Sequence, residues 1–222
     1  MKVLSIDTST NTGSVAIVDD NKLLAEVNYD SKSSHAEILL QKIESTLKKS
    51  GLKLDDMEGF AVTIGPGSFT GLRIGLATAK GLAVSLGKPL VGISTLKALS
   101  TSVIAGKAKQ YPIACLNAYR DEVYANESVM SPKVLAEQLS KVEGEVVFVG
   151  DGAEKYSDIF KEKLGKQFKI VKPKYTLAAS AAFLAVPLIK EGHASDLANL
   201  SPNYIRKSAA EEKTPDHMTR GF

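Results

Sequence analysis

The chain has 222 residues, of which 44% are hydrophobic and 24% charged, and a formal net charge of +3. That length buries a full core, as one large domain or two small ones, and so small a charge does not imply nucleic-acid binding without a concentrated patch. A single cysteine, Cys115, excludes a disulfide framework and a cysteine metal cluster; its apolar surroundings predict a buried, inert thiol. The apolar run at the start ends in Asp7, too early for a signal peptide. No apolar stretch approaches the ~20 residues that span a bilayer, so a cytoplasmic, non-membrane protein is expected.

Residues 2–7 read as a buried strand, 14–19 as a second strand rich in Val and Ile, and 22–29 as a third. The short polar turns between them predict an antiparallel meander. Ser34 and Glu37 have the spacing of a capping box, and Leu39, Leu40, Ile43 and Leu47 repeat at helical spacing. Lys48, Lys49 and Gly51 suit the end of that helix. Residues 59–64 read as a fourth strand, which a glycine-rich turn, Gly65-Pro66-Gly67, joins to a second helix. Thr70 is the expected N-cap, and Leu72, Leu76, Ala79, Ala83 and Leu86 form the apolar stripe. Residues 88–93 read as a fifth strand.

A meander feeding a β-α-β crossover builds a mixed sheet. The second half repeats the order loosely, with strands at 111–117, 122–127, 145–149 and 168–171 and helices at 153–164 and 177–191. The predicted class is α/β, with lobes at 1–100 and 101–206. The charged, aperiodic tail 207–222 is expected to be mobile.

A glycine turn between a strand and a helix N-terminus points N–H groups outward and suits an anion. The sequence fits neither the Walker A pattern, since no Lys follows, nor the dinucleotide pattern, which needs Gly at Thr70. On the helix that follows, Gly71, Gly75 and Ala79 share a face that admits close approach of another helix, within the chain or from a partner. Arg73, at the same end, has the chemistry to bind a carboxylate or phosphate.

None of the three histidines, His35, His193 and His217, has a second His three or four residues away, so no helix presents a two-histidine metal site. No Gly-x-Ser-x-Gly elbow supports a hydrolase triad. Asp7 and Asp151 end strands in the two halves, where a pair of acids can flank a nucleotide and its magnesium ion, or serve only as turn formers. The lysines at 161, 163, 166, 169, 172 and 174 lack interleaved aromatics and read as a solvated face rather than an RNA site.

These segments together resemble the TsaB (YeaZ) family along nearly the whole chain. The resemblance is carried by Ile6-Asp7-Thr8-Ser9, His35-Ala36-Glu37, the block Gly65-Pro66-Gly67-Ser68-Phe69-Thr70-Gly71-Leu72-Arg73-Ile74-Gly75, Lys80-Gly81-Leu82-Ala83 and Val91-Gly92-Ile93-Ser94-Thr95-Leu96. Asn117-Ala118-Tyr119-Arg120-Asp121-Glu122-Val123-Tyr124 is similar to the family's Asp-Ala-Arg-x-x-Glu-Val-Tyr, with an amide where a carboxylate is common, and Pro202-Asn203-Tyr204-Ile205-Arg206 to its Pro-x-Tyr-Leu-Arg.

The resemblance implies a two-lobed actin/Hsp70-like (ASKHA, ribonuclease H-like) fold. It also implies a scaffold role in transferring a threonylcarbamoyl group to adenosine of ANN-decoding tRNAs. The partners would be a TsaD-type catalytic subunit and a TsaE-type ATPase, with tRNA reached through the complex and a homodimer when the chain is alone. The TsaD metal pair, His-x-x-x-His, falls here on Thr95 and Leu99, which cannot replace two imidazoles. The chain is therefore expected to hold no metal and to have no catalytic residue. The alternative is an autonomous enzyme of this fold, metallopeptidase-like or a small-molecule kinase. The expected partner face is Ser34, His35, Ile38, Gly71, Arg73, Gly75 and Ala79. Asp7, Thr8, Ser9, Gly65, Gly67, Ser68, Asp151 and Gly152 are expected to face a nucleotide. No cofactor is expected to bind tightly; ATP or ADP is expected at the interface of the complex.

Overall fold

A computed structural model describes residues 1–30, 35–103 and 110–206. In the first lobe, β1 (Lys2–Asp7), β2 (Thr12–Asp19) and β3 (Lys22–Asp30) form the expected antiparallel meander. β4 (Gly59–Gly65) and β5 (Leu90–Ser94) add to it in parallel, giving the order β3-β2-β1-β4-β5. The period-2 alternation of β1 serves two cores at once. Leu4 and Ile6 pack beneath α1 (His35–Ser50) and α2 (Phe69–Leu86), while Val3 packs on the other face beneath α7 (Leu177–Lys190). Covered on both faces, β1 is the sheet's centre, which is why its sequence reads as a continuous apolar run.

α1 ends as its sequence dictates. Gly51 takes φ +71°, its N–H bonds the Lys48 carbonyl, and the Leu52 N–H reaches back to Leu47. The capping box expected from Ser34 lies outside the described residues. The cap of α2 is Ser68, not Thr70: its Oγ accepts from the Gly71 N–H at 3.2 Å, so the helix begins one residue before Thr70.

The second lobe repeats the order in broken form. The expected strand 111–117 divides at Cys115 into β6 (Gln110–Ala114) and β7 (Leu116–Tyr119). β6 pairs in parallel with β10 (Glu145–Val149), which pairs with β11 (Phe168–Ile170). β7 pairs with β8 (Glu122–Ala125), which pairs with β9 (Ser128–Met130), both antiparallel. Tight two-residue turns at Arg120-Asp121 and Asn126-Glu127, all at positive φ, close these hairpins. The expected helix 153–164 divides at Tyr156 into α5 (Asp151–Lys155) and α6 (Ser157–Leu164).

Two helices were absent from the expectation. α3 (Thr95–Thr101) is short, and Ser94 caps it. α4 (Pro132–Leu139) carries the Ser131 cap and a Pro at its first turn, a helix-start signature that residues 131–132 display openly. α7 follows β11 in sequence but lies against β1, β2, β4 and β5 of the first sheet. Its alanines 178, 181, 182 and 185 are fully buried there.

Candidate functional site

The C-terminal ends of β1 and of the β6–β7 strand face one another across a cleft between the lobes. Two adjoining cavities, of about 430 and 490 Å³, share Thr10, Asn11, Leu116 and Asp151. Asp7 lies on the wall of the second. Its side chain is 1% exposed, and its Oδ1 accepts three hydrogen bonds: from Ser9 N–H at 3.1 Å, Ser9 Oγ at 2.6 Å and Thr63 Oγ1 at 2.6 Å. Burial pushes this carboxyl above the usual range, against the bonds from Ser9 and Thr63, which favour the charged form.

Around Asp7 the turn is built from inside the chain. Thr8 Oγ1 donates to the Gly71 carbonyl at 2.7 Å. A Cβ at Gly71 would run into the Thr8 carbonyl, and one at Gly75 into Thr8 Oγ1. Gly71, Gly75 and Ala79, expected as partner-facing, are buried, and the first two receive the Thr8 turn. The close approach read from their spacing is real, but its occupant belongs to this chain. His35, also expected on the partner face, is buried as well: Nε2 lies 3.2 Å from the Thr10 carbonyl and Nδ1 3.3 Å from the Tyr29 hydroxyl. Tyr29 fills the space that Gly13 leaves; its burial, with the nearby Asp7 charge, raises its hydroxyl pKa. Ile38 is half-buried against the core, and Ser34 lies outside the described residues. Of the described members of the set, only Arg73 is exposed. Its guanidinium sits 3.8 Å over the Phe69 ring, and its Nε donates to the Tyr204 hydroxyl at 2.9 Å.

The glycine turn is also satisfied from within. The Ser68 N–H donates to the Ser9 carbonyl at 2.7 Å, and Gly67 packs against Ser9 so closely that a Cβ has no room. Gly65, after which the Pro66 peptide is cis, lies beneath the Asn203 carbonyl. Gly67 and Ser68 line the first cavity with Ser9, so these positions do face the cleft. Gly65 does not reach it.

On the opposite wall, Asp151 Oδ1 accepts from the Asn117 N–H at 3.0 Å, and the Gly152 N–H donates to the Cys115 carbonyl at 3.0 Å. Burial, with the Asp151 charge adding, pushes the Cys115 thiol up to about 12, so it is inert at neutral pH. Asp7 and Asp151 meet at the same cleft but do not occupy corresponding positions. Asp7 ends the central strand of its sheet; its counterpart lies in β7, where Asn117 is the second residue, whereas Asp151 follows β10 as Pro66 follows β4. Asn117 Oδ1 accepts from Tyr119 N–H at 3.1 Å and Lys155 Nζ at 3.3 Å, a role an amide fills without charge.

Residues that the expectation did not place at this site are Thr63, Tyr29, Thr10 and Asn11, together with Tyr204 and Arg206 from the chain's end. Only the Pro202–Arg206 resemblance signalled the last two. Among the described residues no group of three or more His, Cys, Asp or Glu is placed to hold a metal ion, and no helix is long and apolar enough to cross a membrane. Thr95 and Leu99 are buried, Leu99 among Leu96, Leu116 and Val149.

The fold matches solved structures. A Pseudomonas aeruginosa protein described as similar to peptidase YEAZ superposes with a TM-score of 0.76 at 24% identity, over 92% of this chain and 99% of that one. An activator of 2-hydroxyisocaproyl-CoA dehydratase from Clostridium difficile, solved with bound ADPNP, superposes with a TM-score of 0.53 at 13% identity, over 87% of this chain and 97% of that one. The architecture is thus the two-lobed ASKHA, ribonuclease H-like fold. In sequence, the tRNA threonylcarbamoyladenosine biosynthesis protein TsaB of Escherichia coli (strain K12) is 29% identical over 97% of this chain and 99% of its own length. The family model for TsaD, tRNA N6-adenosine threonylcarbamoyltransferase, matches residues 22–214. With that match across most of its length and its full-length similarity to TsaB, the chain belongs to the TsaD family, in the TsaB (YeaZ) group of tRNA threonylcarbamoyladenosine biosynthesis proteins.

Proposed function

We propose that the chain is a non-catalytic, cytoplasmic scaffold subunit. It pairs with a TsaD-type catalytic subunit and works with a TsaE-type ATPase to transfer a threonylcarbamoyl group to adenosine of ANN-decoding tRNAs. The observation that carries this reading is the outer face of α2. Ala77, Gly81 and Val84 are exposed at helical spacing, Val84 at 66%, with no charge among them. Leu40 of α1, the helix beside it, is 63% exposed. A single exposed apolar residue needs no explanation, whereas small and apolar residues exposed together on two adjacent helices, flanked by Arg73 and Lys80 of α2 and Glu37 and Glu44 of α1, suit a helical partner with a polar rim. The small residues that serve partner approach are therefore Ala77 and Gly81, one step round the helix from Gly71, Gly75 and Ala79. The same face supports a homodimer when the partner is absent.

The burial of Thr95 and Leu99 in the core supports a role without metal chemistry. The internal use of the Ser68 N–H and the close packing of Gly67 support placing ATP or ADP at the interface of the complex, rather than tightly in this chain.

Reconstitution tests the proposal. Cognate TsaD-, TsaE- and TsaC-type proteins are combined with tRNA, threonine, bicarbonate and ATP, with and without the chain. Modification is expected to need the chain. Val84→Glu is expected to weaken pairing with the TsaD-type subunit at least tenfold, about 1.4 kcal/mol, with the isolated chain's Tm unchanged. Equal modification without the chain, or wild-type pairing by Val84→Glu, overturns the reading.

A further inference from the structure

Residues 195–206 leave α7 and run across one lobe to end on the other. The Ser195 N–H donates to the Leu90 carbonyl at 2.8 Å, and Ser195 Oγ accepts from the Gly92 N–H at 3.1 Å, so the segment starts along β5, the edge strand of the first sheet. Leu200 packs onto Gly92 where a Cβ would not fit. The Asn203 N–H then donates to the Ile64 carbonyl at 2.6 Å. Tyr204 stacks on Phe69 with ring centroids 4.5 Å apart and accepts from Arg73 Nε at 2.9 Å. Two residues later Arg206 has crossed the cleft. Its guanidinium donates to the Ala118 carbonyl at 2.7 Å and pairs with the Glu122 carboxylate, both in the β7–β8 hairpin of the second lobe. Tyr204, Ile205 and Arg206 line the first cavity.

We propose that residues 195–206 are an interlobe latch, with Tyr204 as its anchor on the first lobe and Arg206 as its catch on the second, and that the catch sets how far the cleft opens. Covering the β5 edge explains the contacts from Ser195 to Leu200. It does not explain a charged side chain, 19% exposed, carried past the glycine turn to grip the hairpin of the other lobe. Two-lobed folds move by small rotations of one lobe against the other, and a contact that joins the two lobes beside the cavity they share resists such a rotation. Charge assistance and the second bond to Ala118 fix the direction of the guanidinium as well as its distance.

Interlobe distance in the isolated full chain reads this directly and does not depend on the partner proposal. Nitroxide labels go on Ser85→Cys in α2 and Ser140→Cys at the end of α4, both exposed and in different lobes; the buried Cys115 stays unlabelled. Pulsed dipolar spectroscopy of Arg206→Gln is expected to give a longer and broader distance distribution than the parent. Glu122→Gln, which keeps the Ala118 bond, is expected to give a smaller shift in the same direction. If Arg206→Gln superposes on the parent, the segment only covers an edge and the latch is wrong. Should Arg206→Gln fail to fold by circular dichroism, Glu122→Gln decides by the same criterion.

Discussion

Asp7 shows how one residue's surroundings fix its charge. Its carboxyl is buried, its Oδ1 already accepts from Thr63 and Ser9, and burial outweighs those bonds, so its pKa is raised in the folded chain. The neutral form is the one that folding favours. Its contribution to stability is fully present below the unfolded pKa, near 3.8, and is lost as pH rises through the folded value. Asp7→Asn keeps an oxygen for the two hydroxyls and cannot ionise. It is therefore expected to match or exceed the wild type in stability at pH 7.5, by on the order of 1 kcal/mol, with a smaller gap or a reversed one at pH 4.5. Thermal melts of both proteins across that range check it. A difference that stays constant with pH would mean that Asp7 is charged throughout. The sequence showed that an acid ends the first strand. It did not show Thr63 as its partner, because that bond spans 56 positions and depends on the parallel register of β1 with β4. His35 was misplaced for the same kind of reason: its partners, Thr10 and Tyr29, come from the meander, and nothing local marks a histidine at a helix start as buried.

At the scale of the element, α2 has two small-residue faces, and the spacing of four that marks one marks the other. Gly71 and Gly75 meet the Thr8 turn and Ala79 packs in the core, whereas Ala77 is exposed and a Cβ at Gly81 would meet nothing within 4 Å. Alanine substitution separates them. At Gly81 no atom lies within 4 Å of the new Cβ, so Gly81→Ala is expected to gain the helix propensity, about 0.5–1 kcal/mol. At Gly71 the same gain is opposed by a clash with the Thr8 carbonyl, a backbone atom that cannot swing aside. Overpacking of that kind costs about 1–3 kcal/mol, so Gly71→Ala is expected to be net destabilising. Chemical denaturation measures both; a Gly71→Ala variant as stable as Gly81→Ala would show that the turn yields freely. The existence and type of the long elements were legible because their periodicity is strong, as in residues 2–7 and the α2 stripe. The short ones were not. A seven-residue α3 gives less than two turns of pattern, and the breaks at Cys115 and Tyr156 carry no Gly or Pro to announce them.

Taken whole, the two lobes share one order of elements. The first sheet reads β3-β2-β1-β4-β5; the second, with β6 and β7 taken as one strand bent at Cys115, reads β9-β8-β7/β6-β10-β11. Helices follow at matching places: α1 and α4 after the meander, α2 and the α5–α6 pair after the fourth strand, α3 and α7 after the fifth. Even the turns agree, since the Ser68 N–H bonds a carbonyl just past β1 and the Gly152 N–H bonds one just past β6. No repeat is visible in the residues because this order needs only burial and turn chemistry, which many sequences satisfy.

The last helix breaks the symmetry, and this bears on cooperativity. α7 comes from the second lobe's run of elements but covers Val3, Val18, Ala61, Val91 and Ile93 of the first. Without it one face of the first sheet would be an exposed apolar surface. Asn203, Tyr204 and Arg206 then tie both lobes again. The chain is therefore expected to unfold in a single transition, despite its two lobes. At about 0.7 kcal/mol per residue near 60 °C, one cooperative unit of this size has an enthalpy of about 150 kcal/mol, and lobes melting separately would each show about half. Scanning calorimetry decides between them through the ratio of calorimetric to van't Hoff enthalpy. A ratio near one is the expected result, and a fragment of residues 1–103 is expected to show no cooperative melt, since it lacks the helix that closes its core. Two resolved transitions, or a fragment that melts cooperatively, would mean that α7 docks on a lobe already stable without it.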